Sequence, residues 1–131
     1  MTYQFERDAE SGIIFVYVKL NDDHEFKMAF DTGATRTTFD RNALLMIEYP
    51  IGNINETELI ETANGIVKVG VFKTVSLTAF GHTVCDLSVQ VYDFLAHGIL
   101  SDYDGVLGLD FFENTKFCID MKNQTIEVKK L

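Results

Sequence analysis

Phe30-Asp31-Thr32-Gly33-Ala34-Thr35 sets a carboxylate at the end of an apolar strand and follows it with small and hydroxyl-bearing residues. An apolar strand that runs straight into Asp-Thr-Gly has to turn sharply there, because glycine accepts backbone angles that other residues avoid. Backbone N–H groups and hydroxyls of that turn can hold the Asp31 carboxylate, which marks the stretch as a candidate active site. One carboxylate held in this way does little alone. Two brought together cannot both ionise, so they share a proton and act as acid and base in one reaction. The chain contains a single Asp-Thr-Gly, so a second copy has to come from a second chain related by a two-fold axis.

Asp-Thr-Gly by itself is a common turn, in which Asp31 would be no more than a cap. Its surroundings add the weight: the strand before it, Ala34 and Thr35 after it, and a second apolar-glycine element downstream at Val106-Leu107-Gly108. On these residues the chain resembles the retropepsin-like aspartic proteases, the single-domain family of retroviral proteases and their cellular and bacterial relatives. The matching stretches are Asp31-Thr32-Gly33-Ala34-Thr35 and Asp104-Gly105-Val106-Leu107-Gly108-Leu109-Asp110-Phe111-Phe112. The second is similar to the Gly-hydrophobic-Leu-Gly-x-Asp-Phe-Leu segment of cellular members, and the similarity spans about residues 13 to 130.

The resemblance implies a mainly β, single-domain closed β-barrel with one or two short helices, acting as a homodimer. Residues 13–131 would form that domain, with 1–12 as a lead-in or interface arm. Asp31 would be catalytic, and Thr32, Gly33, Ala34 and Thr35 would complete the active-site loop: Thr32 bonding across the dyad, Gly33 admitting substrate backbone, Ala34 keeping the wall small. A hairpin tipped by Ala63, Asn64, Gly65 and Ile66 would be the flap that closes over an extended peptide, and Val106, Leu107 and Gly108 would pack behind the catalytic loop. The implied activity is that of an aspartic endopeptidase acting on peptide or protein substrates without a cofactor.

With 131 residues the chain suits one domain and one core, too short for a two-lobed aspartic protease. Its 47% hydrophobic content, with 11 Phe and 5 Tyr, is enough for a packed interior. A formal charge of -9 argues against nucleic acid and against an anionic membrane surface, since phosphates would be repelled. No apolar run reaches bilayer length, and Met1 to Arg7 lacks the apolar stretch of a signal peptide, so a cytoplasmic protein is expected. Cys85 and Cys118 lie in apolar, strand-like surroundings and are expected as buried thiols.

Along the chain, Tyr3 to Glu6 suits an edge strand, and Ile13 to Leu20 a strand buried on both faces. Asn21 to His24 turns, and Glu25 to Phe30 alternates Phe26, Met28 and Phe30 on one face, delivering Asp31 to the hairpin tip. Thr37-Thr38-Phe39 reads as a short strand, and Asp40 as the cap of a helix over 41–46. Glu56–Glu61 and Ile66–Phe72 flank Thr62-Ala63-Asn64-Gly65, and Asn-Gly between two strand-like runs signals a hairpin. A second hairpin is expected over Lys73–Ala79 and Thr83–Tyr92, a helical turn within 93–102, and a closing hairpin of Lys116–Asp120 with Thr125–Lys130. Strand, turn and helix follow one another twice, after Phe30 and after Asp104, an echo that suits a duplicated half-lobe.

Other chemistries find little support. His82 and Cys85 stand three apart, but His24 and His97 do not extend them into a metal set, and no metal is expected. Asp102-Tyr103-Asp104-Gly105 resembles the start of a calcium loop, yet the chain offers Leu100 at the first acidic position and no closing Glu. There is neither a phosphate loop nor a nucleophile elbow. Two readings of other classes stay open: a retropepsin-type fold kept as a dimerising or peptide-holding module with little or no proteolytic activity, and a β-barrel interaction domain with an accidental Asp-Thr-Gly.

Overall fold

Thirteen short strands, rich in β-branched and aromatic residues, make up most of the computed structural model, which describes residues 1–51, 56–62, 65–99 and 101–131. Of Thr62 only the backbone is described. The strands are β1 (Thr2–Gln4), β2 (Glu6–Arg7), β3 (Ile14–Leu20), β4 (His24–Phe30), β5 (Thr38–Asp40), β6 (Glu56–Thr62), β7 (Gly65–Lys73), β8 (Ser76–Ala79), β9 (His82–Cys85), β10 (Ser88–Tyr92), β11 (Gly105–Leu107), β12 (Thr115–Asp120) and β13 (Thr125–Lys130). One α-helix, α1 (Arg41–Met46), starts where the Asp40 side chain accepts the Asn42 N–H at 3.3 Å, the expected cap. Two 3-10 turns, Leu95–His97 and Leu109–Phe112, complete the described elements.

The main sheet runs β6-β7-β10-β5-β11-β4-β3-β8-β9, with β2 added on β3. β3 and β4 form the hairpin that ends at Asp31, and β11 lies parallel to β4, with Leu107 opposite Phe30. β5 then pairs antiparallel with β11 and parallel with β10. The two strand-turn elements read from the sequence therefore stand side by side at the middle of the sheet. A smaller sheet, β1-β13-β12, packs Ile126 and the inward residues Tyr3, Phe117, Ile119 and Val128 against the shared core. That core includes Val18, Phe26, Met28, Phe39, Leu77, Val89, Leu107 and Phe111.

The expected barrel is not closed. Among the described residues β6 pairs with β7 alone and β9 with β8 alone, so the two ends of the main sheet are not joined. The far end of the β6–β7 ribbon stands away from the core, with the side chains of Leu59 and Ile66 each 72% exposed. Three local expectations also change. β3 is buried only on the side of Val18 and Leu20, because Tyr17 is exposed and the Phe15 ring is capped by the Lys27 ammonium at 4.4 Å. The run from Thr83 to Tyr92 breaks at Asp86, where φ is +59°, so β10 leaves its hairpin to join β7 and β5. Cys85 and Cys118 are exposed, since strand alternation turns both to the polar side. No described helix is long and apolar enough to cross a membrane.

Candidate active site

Asp31 follows the last residue of β4, where the chain leaves the sheet while β11 still runs alongside. Its N–H donates to the Leu107 carbonyl at 3.1 Å, and its own carbonyl accepts the Ala34 N–H at 3.1 Å, which folds residues 31–34 into a tight turn. Gly33 N–H donates to Asp31 Oδ1 at 2.8 Å and holds the carboxylate. Asp31, Thr32, Gly33 and Thr35 are exposed and Ala34 is half-buried, so the loop presents its carboxylate outward. Beneath it the Phe30 ring packs among Phe80, Phe112 and Phe117, with centroids 6.1, 5.3 and 6.3 Å away.

The second motif closes on the first. Leu107 is buried at the end of β11, and Leu109 N–H donates to the Ala34 carbonyl at 2.8 Å. Gly108 is needed at this crossing: a Cβ there would lie 2.7 Å from the Arg36 carbonyl carbon and oxygen and 2.9 Å from the Ala34 oxygen. Val106, Leu107 and Gly108 thus lie directly behind residues 31–36.

Five residues to which the sequence analysis gave no part in the site tie this loop to its surroundings. Asp110 accepts the Thr37 N–H at 2.9 Å and the Thr37 hydroxyl proton at 2.6 Å, and the same hydroxyl accepts the Gly108 N–H at 3.1 Å. Thr37 is fully buried, so these are its available partners and each bond is worth most where water is excluded. Arg36 reaches Asp110 Oδ2 from Nε at 3.8 Å, donates to the Ser88 carbonyl at 3.3 Å, and pairs with Glu58 on β6 at 2.8 Å. Gln90 Nε2 donates to the same Glu58 oxygen at 2.8 Å. That bond, with help from the Arg36 charge, holds the Glu58 carboxyl below its usual range against the opposing effect of burial. The one sequence signal that could have found Asp110 is an acid flanked by Leu109, Phe111 and Phe112; Arg36, Glu58 and Gln90 meet only across the fold.

Of the expected hairpin, Ala63 and Asn64 lie outside the described residues. Gly65 opens β7 with φ +110°, a conformation suited to glycine. Opposite residues of the ribbon share a face, so Glu58, Ile60, Val67 and Val69 point to the Arg36 side. Ile66, paired with Glu61, points to the other face and is not brought toward Asp31. A groove of about 630 Å³ lined by Gln4, Phe5, Glu6, Arg7, Phe15, Tyr17 and Gln124 contains none of residues 31–35. No cluster of three or more His, Cys, Asp or Glu able to hold a metal occurs among the described residues.

A family model described as aspartyl protease matches residues 16–111. A crystal structure of a retropepsin-like aspartic protease from Rickettsia conorii is similar to the chain with a TM-score of 0.71, covering 98% of this chain and 91% of that one at 22% identity. No curated protein sequence matches the chain.

Proposed function

The chain belongs to the aspartyl protease family and has a retropepsin-like fold, and from that premise we propose that it is an aspartic endopeptidase whose active site is completed by two copies of Asp31 in a homodimer. What carries the proposal is the bonding of the two motifs into one rigid loop that presents an exposed Asp31 carboxylate, through Asp31 to Leu107 and Leu109 to Ala34. A water between two such carboxylates loses its proton to the ionised one, while the protonated one donates to the scissile carbonyl oxygen. Proton return to the leaving amine then breaks the C–N bond without a covalent enzyme intermediate.

In this scheme Thr32 bonds across the two-fold axis, and Gly33 with Ala34 leaves room for the substrate backbone. The β6–β7 hairpin serves as the flap over an extended peptide, its base held by Glu58 to Arg36. Ile60 and Val67, on the face that carries Glu58, supply the apolar wall toward the substrate, and Ile66 faces outward.

The test is cleavage of a peptide library by the purified chain, with Asp31→Asn as control. The variant keeps an acceptor for the Gly33 N–H, so its melting temperature should stay close to that of the native chain. Its cleavage should fall by at least about a hundredfold, the usual loss when an acid-base group is removed. Undiminished cleavage by Asp31→Asn rules the proposal out.

A further inference from the structure

His82 opens β9, and its ring lies edge to face with Phe111, the centroids 5.1 Å apart and the planes at 82°. Phe111 is fully buried and directly follows Asp110, the carboxylate that holds Thr37 beside the Asp31 loop. A hydrogen bond joins the imidazole to the Phe111 backbone, while Nε2 is buried without a hydrogen-bond partner among the described residues. We infer that His82 is a positioning residue for the Asp31 loop, keeping it set while the ring is neutral and releasing it, through Phe111 and Asp110, when the ring takes a proton. For its effect on cleavage the inference rests on the Asp31 reading proposed above; the release of the loop can be followed without it.

A neutral imidazole has one N–H and one bare nitrogen. The N–H is used on the Phe111 backbone, so Nε2 is the bare nitrogen and sits in its buried place at modest cost. A proton there adds a charge and a second N–H with no acceptor, which burial penalises far more. The neighbours offer no relief. Cys85 on the same strand and Glu113 are exposed, Asp110 is already bonded to Thr37 and Arg36, and Lys130 of β13 carries the same charge as a protonated ring. On the remaining side Tyr3 of β1 lies against Gly81, the residue before His82. A cavity of about 200 Å³ adjoins the ring, with Glu113 and Lys130 among its lining. Turning the ring into it lets water solvate the charge and takes the edge contact off Phe111.

Phe111 and Asp110 are consecutive, so a shift of one loosens the other. The bonds that tie the two motifs then weaken together: Thr37 N–H to Asp110, Gly108 N–H to Thr37 and Leu109 N–H to the Ala34 carbonyl. The direction with pH follows from the surroundings. Burial first, and the Lys130 charge with it, holds the packed ring below the ordinary 6.5 against the Phe111 bond. A ring turned out to water titrates near 6.5, so as pH falls below that value the turned-out form gains the proton first. Its share rises by up to tenfold for each unit between the two values. Two Asp31 carboxylates need one proton between them and are served by acid, whereas release of their loop sets an acid limb on cleavage.

Amide exchange followed by NMR at pH 7 and at about pH 5, above the ordinary carboxylate range, reads the loop directly in the full chain and in Asp31→Asn. The amides to follow are Thr37, Gly108 and Leu109, at exchange rates faster than global unfolding. Corrected for the intrinsic effect of pH, their protection should fall about threefold or more from the higher pH to the lower, as half a unit between the two values gives. It should stay level in His82→Gln, which keeps an N–H for the Phe111 backbone and cannot titrate, and in His82→Phe. Circular dichroism checks that both variants fold. In peptide cleavage the acid limb of the rate profile should move to lower pH by about half a unit or more in the same two variants. An equal fall of protection in native chain and variants overturns the inference, and so does a fall confined to amides that exchange only through global unfolding, which is a structural role. An acid limb that stays in place in both variants also overturns it. A native chain that cleaves at no pH sinks the Asp31 reading instead, and the exchange result alone then decides the role of His82.

Discussion

At the residue scale the Asp31 loop depends on a buried hydroxyl. Thr37 donates to Asp110, accepts from Gly108 N–H and is fully buried. Thr37→Val keeps the shape and removes both bonds, leaving the Gly108 N–H without its partner and Asp110 Oδ1 with the Thr37 backbone N–H alone. The expected cost is about 2–4 kcal/mol, read as a lower urea midpoint. Thr37→Ser keeps the hydroxyl and loses a methyl, and should cost about 1 kcal/mol. Equal losses for the two variants would mean that packing, not the hydroxyl, holds the loop. Asp31 was legible in the sequence because its turn is local, fixed by Gly33 and the strand before it. The bond between Thr37 and Asp110 was not, because it joins positions far apart in the chain; Asp110 stood in the second motif, but nothing in its spacing named Thr37 as its partner.

At the element scale the β6–β7 hairpin is a two-stranded ribbon anchored at its base by Glu58, which meets Arg36 and Gln90. Two strands alone are marginal in water, so this anchor should govern how often the ribbon opens. Arg36→Met should accelerate amide exchange in residues 56–73 several-fold, with a small change in global stability, since a partly exposed ion pair contributes little. Glu58→Gln, which keeps an acceptor, should have a weaker effect. Uniform acceleration over the whole chain would instead point to a general loss of stability. The Glu58 carboxyl is held below its usual value of 4.5 by Gln90 first and Arg36 second. Its contribution is therefore complete above 4.5 and is lost only as pH falls through the lowered value in the folded chain. The Asn-Gly signal revealed the hairpin in the sequence, because turn and alternation are local. Its facing was not legible: Ile66 was expected at the substrate, and the register sets it on the face opposite Glu58 and Ile60.

At the scale of the whole molecule, His82 links pH to stability. Burial pushes its imidazole below the ordinary 6.5, the Lys130 charge adds to that, and a hydrogen bond with the Phe111 backbone opposes it; Nε2 is buried without a hydrogen-bond partner among the described residues. Above 6.5 the ring is neutral in both folded and unfolded chains. Below it the unfolded chain takes up the proton first, so stability should fall as pH drops from 6.5 toward the folded value. His82→Phe should flatten that slope in thermal melts across this range, and an unchanged slope would assign it to other groups. Two local motifs and the resemblance they carry were enough to expect a mainly β chain of the aspartyl protease family with Asp31 at the end of a strand, because strand alternation, turn glycines and caps act within a few residues; the register sets Asp31 at the open end of the β3–β4 hairpin, away from its Asn21–Asp23 turn, and not at the expected tip. The tertiary structure alone decided that, among the described residues, the sheet stays open between β6 and β9 and that Arg36, Glu58, Gln90 and Asp110 brace the Asp31 loop. It also decided that Cys118 is exposed rather than buried, on a strand that pairs among the described residues with β13 alone. Each of these depends on which strands become neighbours, a choice made by packing between distant segments.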